Sequence, residues 1–485
     1  MRRSVVNRLG AAVVAATLLW HAPVAAQGPT VVSAADSALI GRLLLAEDRR
    51  AANDPALDEA ARHPSPLIRG LADRARGRIA DAQFPARASL PPLPAPPQYA
   101  EPAWRVRYRA LSSRSSCADL REAMSDASTP VRLRAMTLVS ASCAADSTLA
   151  QQLAQAVDLP ARIAAGRSLS MAWHDAAYAL VALARVQPAA AEARLPAAVR
   201  HRTWQRRYHA VKAAAVLRDT ARLRRLARDA NDNVAEVAIE ALSALTGHTD
   251  DALYVLGLTR GGAQVIRAAA NALVGTPDAT ARAAASATHQ RLVERANASE
   301  VDARVALLKA AGRPVTDDVP PAPVSVLPPD AVALALGAEI RLRVVRSAAT
   351  GGGSFVVRLR GDNAPMMAAR VLERVRAGGY DGTTWHRVEH DFVIQGGSPG
   401  ANEYVGSATF LRDELGVVPH LRGTVGMSTR GHDTGDFQWF VNLRDNRRLD
   451  RDYSIFAEVI EGIDVVDDIL EGDVIQTIRV LPAGG

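Results

Sequence analysis

From Ala35 to Gly312 the apolar positions recur at helical spacing, as Val234, Val237, Ala238 and Ala241 do at i, i+3, i+4 and i+7. Polar or Pro-containing turns open each stretch. SPLIRGLADRARGRI starts at Ser65, TPVRLRAMTLVSAS at Thr129, WQRRYHAVKAAAVL at Trp204 and NVAEVAIEALSAL at Asn233. AQVIRAAANALVG starts at Ala263 and DARVALLKAAG at Asp302. The last four starts lie about thirty to forty residues apart, the length of one helical hairpin in a stacked array. The period changes after Asp330. Ala331–Arg346 is read as strand-like, with alternation in Glu339–Val345, and Ser354–Arg360 alternates as a second strand. Pro365–Ala377 predicts a helix with proline at its first position, ended by Gly378-Gly379. Val459–Gly472 is a candidate second helix and Asp473–Val480 a last strand.

Two Pro-rich stretches break the pattern: Ser89–Pro97 inside the repeats, and Pro314–Asp330 before the strands. With 485 residues the chain has room for two or three domains. The divisions expected are a leader at 1–27, an all-α repeat region at 35–312 broken at 89–97, a linker at 313–330 and a β-rich domain at 331–485. Apolar residues make up 48% but aromatics only 4%, which suits Ala-rich helices. Lys212 and Lys309 are the only lysines, so the positive charge is carried almost wholly by arginine. Most of these arginines are expected to solvate helix faces.

Residues 1–27 carry Arg2, Arg3 and Arg8, then the short apolar run Leu9–Trp20, then Val24-Ala25-Ala26. This is the layout of a cleaved secretory signal, the alternative being an uncleaved anchor. Elsewhere no stretch approaches the ~20 apolar residues of a membrane span. The net charge of +7 includes those three arginines, and their loss leaves +4. A charge that small on so long a chain gives no case for nucleic acid. A periplasmic or secreted location is expected. Cys117 opens one helical stretch and Cys143 ends the next, so an antiparallel hairpin would bring them together as a disulfide. Two buried free thiols are the alternative. Their spacing matches no zinc pattern, and neither metal nor cofactor is expected.

The helix starts Pro-Val-Arg and Val-Ile-Arg are similar to HEAT-like repeats; the alternative is an irregular all-helical domain. The C-terminal blocks are more specific. Trp385–Gly397 reads WHRVEHDFVIQGG, Gly426–Val441 reads GMSTRGHDTGDFQWFV, and Leu449 and Ile455–Val459 (IFAEV) follow. In this order they resemble the cyclophilin family of peptidyl-prolyl cis/trans isomerases. The resemblance covers about a quarter of the chain. It implies a closed eight-stranded β-barrel with two capping helices, joined here to the helical repeats.

Rotation about an X–Pro bond faces a barrier of about 18–20 kcal/mol because the amide is conjugated. No bond breaks, so the chemistry needs neither nucleophile nor metal. It needs a grip on the ring and a donor for the prolyl nitrogen as conjugation is lost. The resemblance implies Arg387 as the catalytic donor. It places Phe392, Phe440 and Leu449 on the walls of a proline pocket, and Gln395 and Gln438 along the groove. Val393, Met427, Ser428 and Tyr453 complete the implied substrate contacts. His386 is expected to be a hydrogen-bonded core residue. Arg448 stands where the family often has Trp, which implies weak binding of cyclosporin-like ligands. Asp436-Phe437 stand where Gly-Ser is common. The expected partners are proline-containing polypeptides, with a client or second protein on the helical repeats. A proline-peptide-binding scaffold with little turnover is the alternative.

Overall fold

Side-chain caps fix the helix starts that periodicity leaves loose. Ser116 and Asp119 cap Cys117–Ala123 reciprocally. The Asn231 side chain accepts from the backbone N–H groups of Asn233 and Val234 to open Asp232–Thr246. The computed structural model describes residues 32–80, 97–158, 173–318, 321, 323 and 325–482. The expected leader lies outside them, as do residues 89–96 of the first Pro-rich break and 319, 320, 322 and 324 of the second.

One hydrophobic core runs from Leu111 to Ala310. Within it the helices His174–Val186, Trp204–Val216, Asp232–Thr246, Ala263–Ala272 and Val301–Ala310 pack each on the next. Pro188–Val199, Thr220–Leu226 and Ala279–Arg295 lie between them in sequence, each packed on a helix of that row. Arginines tie the turns of this helical array together. Arg207 makes a bidentate pair with Asp229 (2.7 and 2.8 Å), and Arg224 with Asp250 (2.7 and 3.1 Å). Many arginines expected on solvated faces are therefore structural, and Arg78, Arg105 and Arg304 are fully buried.

Cys117 and Cys143 form a disulfide with their Cα atoms 5.6 Å apart. A cross-link closing a loop of about 25 residues stabilises by roughly 3 kcal/mol. Protein recovered from an oxidising compartment should show no thiol on denaturation, and two after reduction. Two thiols before reduction would contradict the pairing.

The second core joins elements far apart in sequence. Helices α1 (Ala34–Asp48), α2 (Pro55–Ala61) and α3 (Pro66–Ala80) bury Ile40, Leu43, Leu44, Ile68 and Leu71 in it. It also contains Phe355, Leu372, Trp385 and Val425 of the C-terminal sheet and its helix. The first three helices of the sequence repeat thus belong with the sheet. The nearby Pro-rich segment also lies on α1: Arg49 donates to Ser325 O (3.2 Å), and a Cβ on Gly41 would strike Leu327.

The sheet has eight antiparallel strands: β1 (Arg341–Arg346), β2 (Ser354–Leu359), β3 (Trp385–Val388), β4 (Val393–Gly396), β5 (Thr424–Met427), β6 (Trp439–Asn442), β7 (Ile455–Glu461) and β8 (Ile475–Val480). Their order is β3-β4-β6-β5-β7-β2-β1-β8. The end strands do not share a ladder, but Thr384 and Val474 form an isolated bridge between their approaches. The sheet is a strongly curled half-barrel. Pro365–Arg376 is its main helix; the second is only Ile463–Asp467, because β7 takes the chain to Glu461. Ala331–Ala335 is helical where a strand was expected. Its Ala331, Leu334 and Ala335 recur at helical spacing and all enter the core.

Candidate functional site

The polar half of the site is set by strand register. β3 and β4 place Arg387 opposite Gln395, and β4 and β6 place Gln395 opposite Phe440. Arg387 Nη1 donates to Gln395 Oε1 (3.3 Å), and Gln395 Nε2 approaches Gln438 Oε1 (3.5 Å). Gln438 Nε2 donates to Asp436 Oδ2 (3.1 Å). This relay aims a guanidinium that keeps 40% of its side-chain surface exposed. Burial pushes the Asp436 carboxyl up, against the opposing pull of Arg430 and Gln438.

The apolar half lies beside it. Phe392, Val393, Phe440, Leu449 and Tyr453 line a cavity of about 190 Å³, with Arg387, Gln395, Ser428 and Gln438 at its edge. Gly426 makes room for Phe440: a Cβ there would sit 2.4 Å from the ring. Tyr453 meets Phe440 edge-on at 5.7 Å, and His420 stacks at 5.9 Å. Phe392 lies in the β3–β4 turn, outside the strands, and its carbonyl accepts from Asn446 Nδ2 (2.9 Å). Arg448 covers the Phe392 ring at 4.3 Å, so the residue that replaces the family's Trp stays at the pocket rim as a cation.

Nine of the ten expected groove residues line this cavity; Met427 does not. Successive strand residues face opposite ways, so Ser428 looks into the groove while Met427, at 0% exposure, points into the core. Glu403, Thr429, Arg430, Thr434 and Asp436 also line the cavity and were not singled out from sequence as groove residues. They sit on loops, where no periodicity marks a facing direction. Asp436 had one signal, its departure from the family's small residue. Burial lowers the His386 imidazole to about 4, opposed by the nearby Thr384 backbone and Gln438 side chain.

The helical array reaches this groove. Asn402 Nδ2 donates to Asn233 Oδ1 (3.0 Å), and Arg267 lies 4.0 Å over the Tyr404 ring. Arg430 ion-pairs with Asp302 of the array (2.7 Å) and with Asp436 of the groove (3.3 Å). Among the described residues no group of three or more His, Cys, Asp or Glu could hold a metal ion, and no helix is long and apolar enough to cross a membrane.

Residues 345–483 match the family model described as cyclophilin type peptidyl-prolyl cis-trans isomerase. A peptidyl-prolyl cis-trans isomerase of Helicobacter pylori is 32% identical over 133 residues, which span 27% of this chain and 82% of that protein. Peptidyl-prolyl cis-trans isomerase B of Escherichia coli is 33% identical over 131 residues, 25% of this chain and 80% of its own. The human peptidyl-prolyl cis-trans isomerase-like 1 is 35% identical over 127 residues, 25% of this chain and 75% of its own. With the groove assembled on its curled sheet, the chain belongs to the cyclophilin-type peptidyl-prolyl cis-trans isomerase family.

Proposed function

We propose that this isomerase acts on X–Pro bonds of unfolded or partly folded proteins outside the cytoplasm, and that Arg387 is its catalytic residue. The observation that carries the catalytic assignment is the exposed guanidinium of Arg387, held by Gln395 at the mouth of a small apolar cavity. That cavity is below the ~300–1,000 Å³ of sites for drug-sized ligands and suits a pyrrolidine ring. The ring is gripped by Phe392, Phe440 and Leu449 with Val393 and Tyr453, while Gln395, Gln438 and Ser428 hold the substrate backbone. As the amide twists, the prolyl nitrogen's lone pair leaves conjugation and localises, and Arg387 donates a hydrogen bond to it. That hydrogen bond is stronger in the twisted state than in either planar isomer, so it lowers the barrier.

The sheet is read as the family's closed barrel, supported by the Thr384–Val474 bridge, and the helical array as a HEAT-like solenoid, supported by the row of helices that pack each on the next. The solenoid recruits clients. Export is supported by the signal-like residues 1–27 and by the Cys117–Cys143 disulfide. The test is isomerisation of a short X–Pro peptide by the full chain, followed by protease coupling. Peptide binding without turnover would leave the scaffold reading in its place.

A further inference from the structure

The proline pocket does not end at Arg387. Arg387 and Glu403 line both that pocket and a second cavity of about 400 Å³ on their other side. The far wall of this cleft comes from the helical array, through Trp204, Tyr208, Glu236, Glu240 and Arg267. A client chain seated with its proline in the pocket would reach the array by passing over the Arg387–Glu403 ion pair (3.5 Å) that the two cavities share.

We propose that this cleft is an extended client subsite that takes a lysine or arginine side chain two to four residues from the target proline. The proposal rests on the assignment of the proline pocket above.

The charge balance of the lining favours a cation. The lining has four carboxyls, Glu236, Glu240, Glu403 and Glu471, against two cations, Arg267 and Arg387, with Lys212 acting on Glu471 from beyond the lining. Arg267 is already engaged, donating to Glu236 Oε1 and Glu240 Oε1 at 2.7 Å each. Burial, and then Glu240 and Glu403 nearby, raises the Glu236 carboxyl to about 7 against the pull of Arg267. Burial likewise raises Glu471 to about 7. A further cation would let both carboxyls ionise fully. The aromatic wall suits the same guest: Tyr208 already shelters the ammonium of Lys212 at 4.6 Å.

His386 lines the cleft as well, and burial lowers its imidazole to about 4. The reach is adequate, since an extended chain covers about 3.3–3.6 Å per residue.

The test uses the full chain and three peptide series of one length, with Lys, Glu or Ala placed two, three or four residues from a single proline. Exchange rates are read by NMR and affinities by fluorescence anisotropy. At low salt the best Lys peptide should exceed its Glu counterpart by about tenfold in kcat/KM. The gap should close toward unity at high salt, because the charges are partly exposed. It should also collapse in Glu236→Gln/Glu240→Gln. The comparison on the natural chain needs no variant, so misfolding of the double variant cannot hide the answer. Equal rates for Lys and Glu peptides, with normal turnover of the Ala peptide, overturn the subsite and leave the isomerase assignment standing. Absent turnover of every peptide would count against the isomerase assignment instead. Affinity then decides the subsite: tighter binding of Lys peptides supports it, and equal binding overturns it.

Discussion

Replacing Arg387 by alanine is expected to lower kcat/KM about 10²–10³-fold, since a preorganised donor at a developing charge is worth ~3–4 kcal/mol. Affinity for a proline peptide should change far less, because Phe392, Phe440 and Leu449 still hold the ring. The split between the two readouts is the informative part. A residue that only shaped the pocket would weaken binding and turnover together. Arg387→Lys keeps the charge but loses the planar fork that reaches Gln395, so it should recover only part of the rate. Turnover of Arg387→Ala within threefold of the natural chain would remove Arg387 from the chemistry.

The groove was legible in sequence through the ordered blocks that resemble the family, and strand register joins the four of its residues that sit on strands, Arg387, Val393, Gln395 and Phe440. The β3–β4 hairpin brings Arg387 and Gln395 together, and β6 supplies Phe440 beside them. The motif block puts Met427 at the groove because a block gives neighbourhood but not facing direction, and the single step from Met427 to Ser428, just past the end of β5, exchanges core for groove. Loop residues such as Arg430 and Glu403 were missed because their place depends on partners distant in sequence, Asp302 for Arg430 and Arg387 for Glu403. The helical character of α1–α3 was legible, but their partner was not. An Ala/Leu stripe encodes that a face is buried, and says nothing about which surface buries it. The polar residues among those helices decide the matter, since Glu47, Asp48, Arg74 and Arg78 find their partners with one another and with the C-terminal domain.

That docking changes what separating the domains should do. The long proline-rich stretch reads as a spacer whose cleavage would free an active C-terminal fragment. Instead, residues 331–485 alone should be unstable and poorly soluble, because they would expose the face that Ile40, Leu43, Leu44 and Leu71 cover. Arg78 is the sharpest single test. Its side chain is 1% exposed and donates to Leu415 O (2.9 Å), Asn363 O (2.7 Å) and Glu47 Oε1 (2.5 Å). Burial alone would raise the Glu47 carboxyl, but Arg74 and Arg78 outweigh it and hold it below its ordinary value. Glu414 lies 3.7 Å from Arg78 and accepts from the Met366 and Met367 N–H groups at the start of the main helix of the sheet. Arg78→Ala therefore takes from Glu47 one of its two cations, from Glu414 its nearest one, and from two buried carbonyls their donor, all at once. Breaking a buried pair in this way costs about 3–5 kcal/mol, a large share of the ~5–15 kcal/mol that holds a typical domain folded. Denaturant unfolding followed by loss of isomerase activity should show the drop. Cleavage within 313–330 should leave the pieces co-eluting and active until urea separates them. A monomeric, fully active 331–485 fragment, together with an Arg78→Ala chain of unchanged stability, would show that α1–α3 merely rest on the isomerase domain.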